Sequence, residues 1–143
     1  MKLRHLIISI LSLIMIGFSA GCRHDIMDLG NNYFWVDGAI FYESADSAIH
    51  KLIFRSVIEA NYDNNFIIAK QIPRKEFNTE LNEWYSNNRM VKDSVRRKLE
   101  KALSIGTCYW IIDKKHQDVL GPMRRAEFDC ARESLGISIN LTK

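Results

Sequence analysis

Cys22 is the residue whose neighbours point most directly to a covalent modification. Lys2 and Arg4 give the chain a basic start, residues 6–18 form an apolar run, and residues 19–21 (Ser-Ala-Gly) are small. This order is typical of a secretory signal with its cleavage site. A cysteine directly after that site is where a bacterial lipoprotein accepts its lipid. We therefore predict cleavage after residue 21 and lipid attachment at Cys22.

The apolar run over residues 6–18 also limits how the chain is held at a membrane. It is too short to cross a bilayer, which takes roughly 20 residues. One acyl chain binds a membrane only marginally, whereas two or three chains on one cysteine hold it permanently. We expect a lipid-anchored, extracytoplasmic protein of the bacterial envelope, in the outer membrane if the cell has two membranes, because Arg23 follows the cysteine. Plain secretion and a retained anchor are the alternatives.

Cys108 and Cys130 are the two remaining cysteines, and an oxidising compartment would allow them to form a disulfide. Closing the loop between them would stabilise the fold by roughly 3 kcal/mol in the chain-entropy model. Two buried free thiols are the other interpretation, because cysteine is often a small core residue. The sequence leaves both interpretations open.

Cations crowd one stretch of a predicted helix. One interpretation is a solvated helix face. The other is contact with anionic lipid headgroups, where each cation could contribute about 1 kcal/mol to membrane binding. The residues that would make this contact are Arg89, Lys92, Arg96, Arg97 and Lys101.

The histidines and paired acidic residues of the chain do not follow the spacing of a metal site or a catalytic site. His24, His50 and His116 lie far apart, without partners at ligand spacing. Glu80 and Glu83 share a predicted helix face, where early acidic residues complement the helix dipole. The sequence has no motif of a nucleophilic or nucleotide-binding enzyme. We therefore expect no enzymatic activity, no metal and no cofactor.

Charge and length point to one folded domain. The 20 basic residues fall to 18 once Lys2 and Arg4 leave with the signal, against 17 acidic residues. A nearly neutral chain gives no reason to expect nucleic-acid binding. We predict a signal peptide over residues 1–21, a tether over residues 22–32 and a single domain over residues 33–143.

Hairpins are the clearest local signals. Asp37-Gly38 separates two β-rich runs, residues 33–36 and 39–42, and suits a type I′ turn. A second hairpin is expected over residues 108–120. The first hairpin is rich in aromatic residues, which alternate between its faces, so a row of them is either core or an exposed partner surface. These are Tyr33, Phe34, Trp35, Phe41 and Tyr42.

Further elements follow from periodicity. Residues 49–61 fit either a helix or a strand, with the strand favoured in the second half, and residues 66–72 read as a strand. Residues 77–103 favour a long helix that Asn87-Asn88 divides, Gly121-Pro122 is expected to begin a short helix, and residues 137–141 alternate as an edge strand. Together they predict an α+β fold: a mostly antiparallel sheet of five to seven strands with one long and one short helix.

Three segments resemble a family of short bacterial lipoproteins catalogued as a domain of unknown function. They are residues 28–33 (Asp-Leu-Gly-Asn-Asn-Tyr), residues 62–71 and residues 109–114, and Gly121-Pro122 followed by Phe128 is also similar. The resemblance implies a membrane-tethered lipoprotein and supplies no catalytic residues.

Anchor and fold together favour a non-catalytic binding or envelope-structural module. Its partners would be the membrane, through lipidated Cys22, and an envelope protein. The alternative is a surface antagonist of a secreted hydrolase or toxin, of the immunity or lysozyme-inhibitor type.

Overall fold

The computed structural model describes residues 25–74 and 93–142, with side chains from residue 96 onward in the second range. Cys22, Arg89, Lys92 and the first part of the predicted long helix lie outside the described residues.

Within the described residues, eight strands form two antiparallel sheets. The first sheet contains β1 (Ile26–Gly30), β2 (Tyr33–Val36), β3 (Ala39–Glu43) and β4 (Ile49–Ile53), and the second contains β5 (Val57–Tyr62), β6 (Phe66–Gln71), β7 (Cys108–Asp113) and β8 (Asp118–Met123). In both sheets the spatial order is the chain order. Helices α1 (Asp93–Ile105) and α2 (Arg125–Ser134) complete an α+β fold.

The prediction of one sheet with five to seven strands is wrong. Ile26–Gly30, predicted as tether, pairs with β2. Residues 49–61, ambiguous in the sequence, form two strands rather than a helix. Between them lies Ser56, with a positive φ of 78°, and there the chain passes from one sheet to the other.

Burial on both faces explains why β6 and β7, the two central strands of the second sheet, are largely apolar. Ile67 and Trp110 face a core shared with the first sheet, whereas Ile68 and Ile111 face a second core against α2 and the C-terminal segment. A sheet covered on both faces needs apolar residues at successive positions. This explains the near-continuous apolar run of β6.

Both predicted hairpins are confirmed, because their signals are local. Asp37 and Gly38 have φ values of 50° and 75°, as a type I′ turn requires. β7 and β8 pair across the turn at residues 114–117.

Gly121 and Pro122 do not begin a helix as predicted, because they lie inside β8. The helix begins three residues after Pro122, at Arg125, where the Glu127 carboxylate accepts a hydrogen bond from the Arg124 backbone N–H at 2.8 Å. That contact is half of a capping box.

Residues 137–141 alternate as expected but form no ladder. Ile137 and Leu141 are buried against the second sheet. Side chains hold this segment in place of backbone pairing: Asn61 Nδ2 donates to the Asn140 carbonyl at 2.8 Å, and Arg132 donates to the Ile139 carbonyl at 2.6 Å. The predicted edge strand is therefore an extended arm.

The strands run between two ends of the domain, which we name by a residue of each. At the turn-37 end, residues 25–27, the Asp37-Gly38 turn, residues 54–58 and residues 72–74 meet; Gly38 O accepts from Val57 N at 2.9 Å, and Ser56 O accepts from Ile72 N at 3.0 Å. At the Lys114 end, the turns at residues 30–32, 63–65 and 114–117 meet.

Candidate functional site

The Lys114 end is organised by one buried ammonium group. Lys114 is only 7% exposed. Its Nζ donates to the backbone carbonyl of Leu29 in the first sheet and to that of Asp63, at 2.6 Å, in the second. The Tyr62 ring centroid lies 5.0 Å from Nζ. Lys114 therefore joins the two sheets through their turns.

Burial lowers the pKa of Lys114, and the nearby Asp63 and Asp28 carboxylates oppose that shift. An ammonium group out of water is stabilised when hydrogen bonds and opposite charges replace its hydration. The two carbonyls and the two carboxylates provide this replacement. The group is consequently engaged by the protein itself rather than presented to a ligand.

All three segments that carry the family resemblance meet at this group. Leu29 belongs to the first, Tyr62 and Asp63 to the second, and Lys114 ends the third. Their turn and strand patterns are visible in the sequence. Their convergence is not, because the contacts span 51 and 85 residues of chain. A lysine that ends an apolar run is the one available signal, since its position in the alternation aims it at the core.

Aspartates at this end shape the turns. Asp113 Oδ1 accepts from the backbone N–H groups of Lys115 at 2.9 Å and His116 at 3.0 Å, and its Oδ2 lies 2.7 Å from His116 Nδ1. The hydrogen bond with His116 is the main cause that lowers the pKa of Asp113. Asp63 Oδ1 accepts in the same way from Asn65 and Phe66. Such aspartates replace backbone partners in tight turns.

Tyr33 and Tyr42 form the aromatic floor of the Lys114 end. Their ring centroids are 4.7 Å apart, and Tyr42 Oη accepts from Gln117 Nε2 at 2.9 Å. Burial raises the pKa of Tyr33. The Tyr33 hydroxyl therefore stays protonated at neutral pH.

Gln71 is the second buried polar centre, near the turn-37 end. Its Nε2 donates to the carbonyls of Phe54 at 2.8 Å and Arg55 at 3.0 Å. Its Oε1 accepts from Trp110 Nε1 at 2.9 Å and from the Cys108 thiol at 3.3 Å. Every polar atom of the side chain is thus satisfied, as a buried amide requires.

Cys108 and Cys130 are both free, and only Cys108 is buried, so the interpretation as two buried free thiols applies to Cys108 alone. Cys108 lies in the core between the sheets. Cys130 is exposed on α2, which packs on the opposite face of the second sheet through the stacked rings of Phe128 and Tyr109. A disulfide would have to pass through the sheet. Burial raises the pKa of Cys108 to about 11, so its thiol is protonated at neutral pH and is a poor nucleophile.

Within the predicted headgroup-binding set, the described members are Arg96, Arg97 and Lys101, all exposed on α1. Arg96 forms an ion pair with Glu100, one helical turn further on, with 3.5 Å between Nε and Oε1. Lys98 points to β8 and donates to the Val119 carbonyl at 3.2 Å. The helix therefore presents cations along the side of the domain.

Aromatic residues of the first hairpin divide between faces as alternation predicts. Tyr33 is buried in the shared core and Trp35 packs against it. Phe34 and Phe41 lie half-buried on the other face, where they stack at 5.5 Å. The Lys51 ammonium lies 5.4 Å from the Phe41 ring centroid. We call these three side chains, Phe34, Phe41 and Lys51, the outer aromatic face.

Residues 25–74 and 93–142 contain two helices, and neither is long and apolar enough to cross a membrane. Within the same ranges, no group of three histidine, cysteine or acidic side chains lies close enough together to hold a metal ion.

A two-sheet α+β domain, joined across its sheets by a buried lysine, is the class of protein that these residues define. Residues 31–143 match the family described as "Protein of unknown function (DUF3997)", and the chain belongs to that family. No curated protein and no solved structure matches the chain.

Proposed function

We propose that the protein is a non-catalytic binding module of the bacterial envelope, held outside the cytoplasm by lipid on Cys22. The observation that carries the proposal is the position of Cys22, directly after the apolar run and its small residues and three residues before Asp25. A lipid at that position holds the domain close to the membrane and leaves its surface free for a partner.

The use of the buried polar groups supports a binding module rather than an enzyme. Gln71 and Lys114 donate hydrogen bonds to backbone carbonyls of β1 and of the loops that connect strands. The carboxylates of Asp113 and Asp63 accept hydrogen bonds from backbone N–H groups of the turns. These groups fix the fold, whereas a catalytic group must be within hydrogen-bond reach of a substrate.

Replacing Cys22 with serine tests the anchor. Serine has no thiol for lipid attachment, so we expect the protein to leave the membrane fraction and to appear in the soluble extracytoplasmic fraction. The mass of the wild-type protein should exceed that of residues 22–143 by a diacylglyceryl group, and that of the variant should not. The matched control is Cys130→Ser, which should change neither mass nor location apart from the substitution itself. A wild-type protein without lipid would contradict the proposal.

The outer aromatic face is the surface that we assign to a protein partner. Phe34 and Phe41 keep part of their stacked rings accessible to solvent, and half-exposed aromatic side chains are favoured at protein interfaces. The occupant that we propose is another envelope protein. Its complementary surface would be apolar, because apolar contact is what stacked phenylalanine rings offer.

A photo-crosslinking residue placed at Phe41 in living cells tests this assignment. We expect one discrete adduct with an envelope protein, lost when Phe34 is also changed to alanine, because the stack presents both rings together. The same residue at the exposed Leu120 of the second sheet is the control and should give no such adduct. Equal crosslinking at both positions would contradict the assignment. An adduct with a secreted hydrolase that the purified protein inhibits would favour the antagonist alternative.

A further inference from the structure

We propose that the turn-37 end of the domain rests on the phospholipid bilayer and that the Lys114 end points away from it. The proposal rests on the lipid attachment proposed above and adds an orientation. Its occupant is the surface of the membrane in which the lipid on Cys22 is inserted.

The length of the chain between lipid and fold is the first argument. Four residue steps separate Cys22 from Ile26, the first residue of β1. A fully extended chain covers at most about 14 Å in four steps. The polar headgroup layer of one leaflet is itself roughly 5–8 Å thick. The beginning of β1 is therefore held at, or just above, the headgroups.

The composition of the turn-37 end is the second argument. Four large apolar side chains are exposed there, out of eight in the described parts of the chain. They are Ile26 at 48%, Met27 at 47%, Ile58 at 45% and Ile72 at 38% exposure. They come from both sheets, which the Gly38–Val57 hydrogen bond holds together at this end. Apolar side chains of this kind gain free energy when they enter the interface between headgroups and acyl chains.

The charges at the turn-37 end are balanced. Arg55 lies in the crossover between the sheets and Arg74 follows β6 closely, whereas Asp25 precedes β1 and Asp37 lies in the turn, and all four are exposed. An open groove of about 660 Å³ beside the anchor is lined by Asp25 and Asp37 as well as by Ile26, Met27 and Trp35, so its surface is part polar and part apolar. The case for this end therefore rests on the short tether and on the exposed apolar side chains, which can enter the bilayer interface beside charged neighbours.

The Lys114 end has a contrasting composition. Its exposed residues are mainly amides and charged groups of the turns, for example Asn31, Asn64 and Lys115. Of the eight exposed large apolar side chains, Ile49 and Tyr62 lie at this end, and Tyr62 is engaged by the Lys114 ammonium. Burying the turn amides in a membrane interface would cost free energy without new partners. This end is therefore the one that remains in water.

Spin labelling of the lipidated protein tests the orientation. The mature protein is reconstituted in vesicles of phosphatidylethanolamine and phosphatidylglycerol, in a Cys130→Ser background that leaves Cys108 buried. A nitroxide is attached at Met27→Cys, Ile72→Cys, Lys115→Cys or Lys101→Cys in separate variants. Collisions with oxygen, which partitions into lipid, are compared with collisions with a water-soluble nickel chelate.

We expect the ratio of oxygen to nickel collisions to be several-fold higher at positions 27 and 72 than at position 115. The ratio at position 101 should be as low as that of a label in water. A high ratio at position 101 and a low one at position 27 would overturn the proposal, because the domain would then lie on α1. Shielding of positions 27 and 72 from both reagents would also overturn it, because protein, such as residues 75–92, would cover this end.

The control that separates the two proposals is the mass of the purified protein. If no lipid is found on Cys22, the anchor itself fails. If lipid is present and positions 27 and 72 collide with nickel as position 115 does, the orientation fails and the anchor stands.

Discussion

We expect the replacement of Lys114 by methionine to lower the free energy of unfolding by about 3 kcal/mol. Methionine retains the apolar stem and the approximate volume of the lysine, so the change isolates the ammonium group. Without it, the carbonyls of Leu29 and Asp63 lose their shared donor. A buried acceptor left without a partner costs about 1–3 kcal/mol. The free energy lost at the two carbonyls exceeds the free energy regained because no charge has to be removed from water on folding.

Chemical denaturation of the mature protein in detergent, followed by circular dichroism, measures this effect. The matched control is Lys115→Met, one residue along the same turn, where the side chain is exposed. A surface substitution of this kind should change the free energy of unfolding by less than about 0.5 kcal/mol. Equal stability of the two variants would mean that Lys114 does not join the sheets. Lys114→Arg should not restore wild-type stability, because the larger, planar guanidinium differs in shape from the compact ammonium group that reaches both carbonyls.

Replacing Gly121 with alanine is expected to cost about 4 kcal/mol or to prevent folding. Gly121 has a φ of 132°, a conformation that side chains rarely adopt. A Cβ there would lie 2.8 Å from Trp110 Cε3 and 2.9 Å from the Tyr109 carbonyl oxygen. Neither atom can move easily, because Trp110 is held by Gln71 and Tyr109 is part of the central strand β7. Strain and overpacking therefore add.

Gly136→Ala is the matched control for this prediction. Gly136 also has a positive φ, 65°, but no atom lies within 4 Å of a Cβ built there. Only the backbone penalty applies, about 1 kcal/mol. Thermal unfolding of both variants separates the two contributions, since Gly121→Ala carries the steric contact in addition. A loss at Gly121 no larger than at Gly136 would contradict the close approach of β8 to Trp110.

Local patterns account for the parts of the fold that could be predicted. Asp37-Gly38 specifies its hairpin within ten residues of chain, and the turn after β7 does the same. The continuous apolar run of β6 signals burial on both faces of its sheet. In each case the residues that determine the structure are neighbours in the sequence.

What escaped prediction depends on partners that are distant in the chain. The segment that contains β1 reads as a tether in the sequence because it is polar overall, ends in Gly30-Asn31-Asn32 and has no period, whereas its strand conformation comes from pairing with β2. Gly121-Pro122 suits a helix start by composition, whereas the approach of Trp110 places it in a strand. The number of sheets could not be predicted from the sequence for a similar reason. Gln71 and Lys114 bind carbonyls that lie 16 to 85 positions away from them in the chain.

The hydrogen bond from Lys114 to Leu29 also constrains the time order of folding. Its partners are 85 residues apart, and a chain is synthesised from its N-terminus. β1 to β4 can form their meander early, since each pairs with its neighbour in the chain, but the carbonyl of Leu29 waits for its ammonium partner until residue 114 has emerged. The first strand is thus among the first segments to emerge and among the last to be fixed in place, so both sheets must be available before the two halves can close.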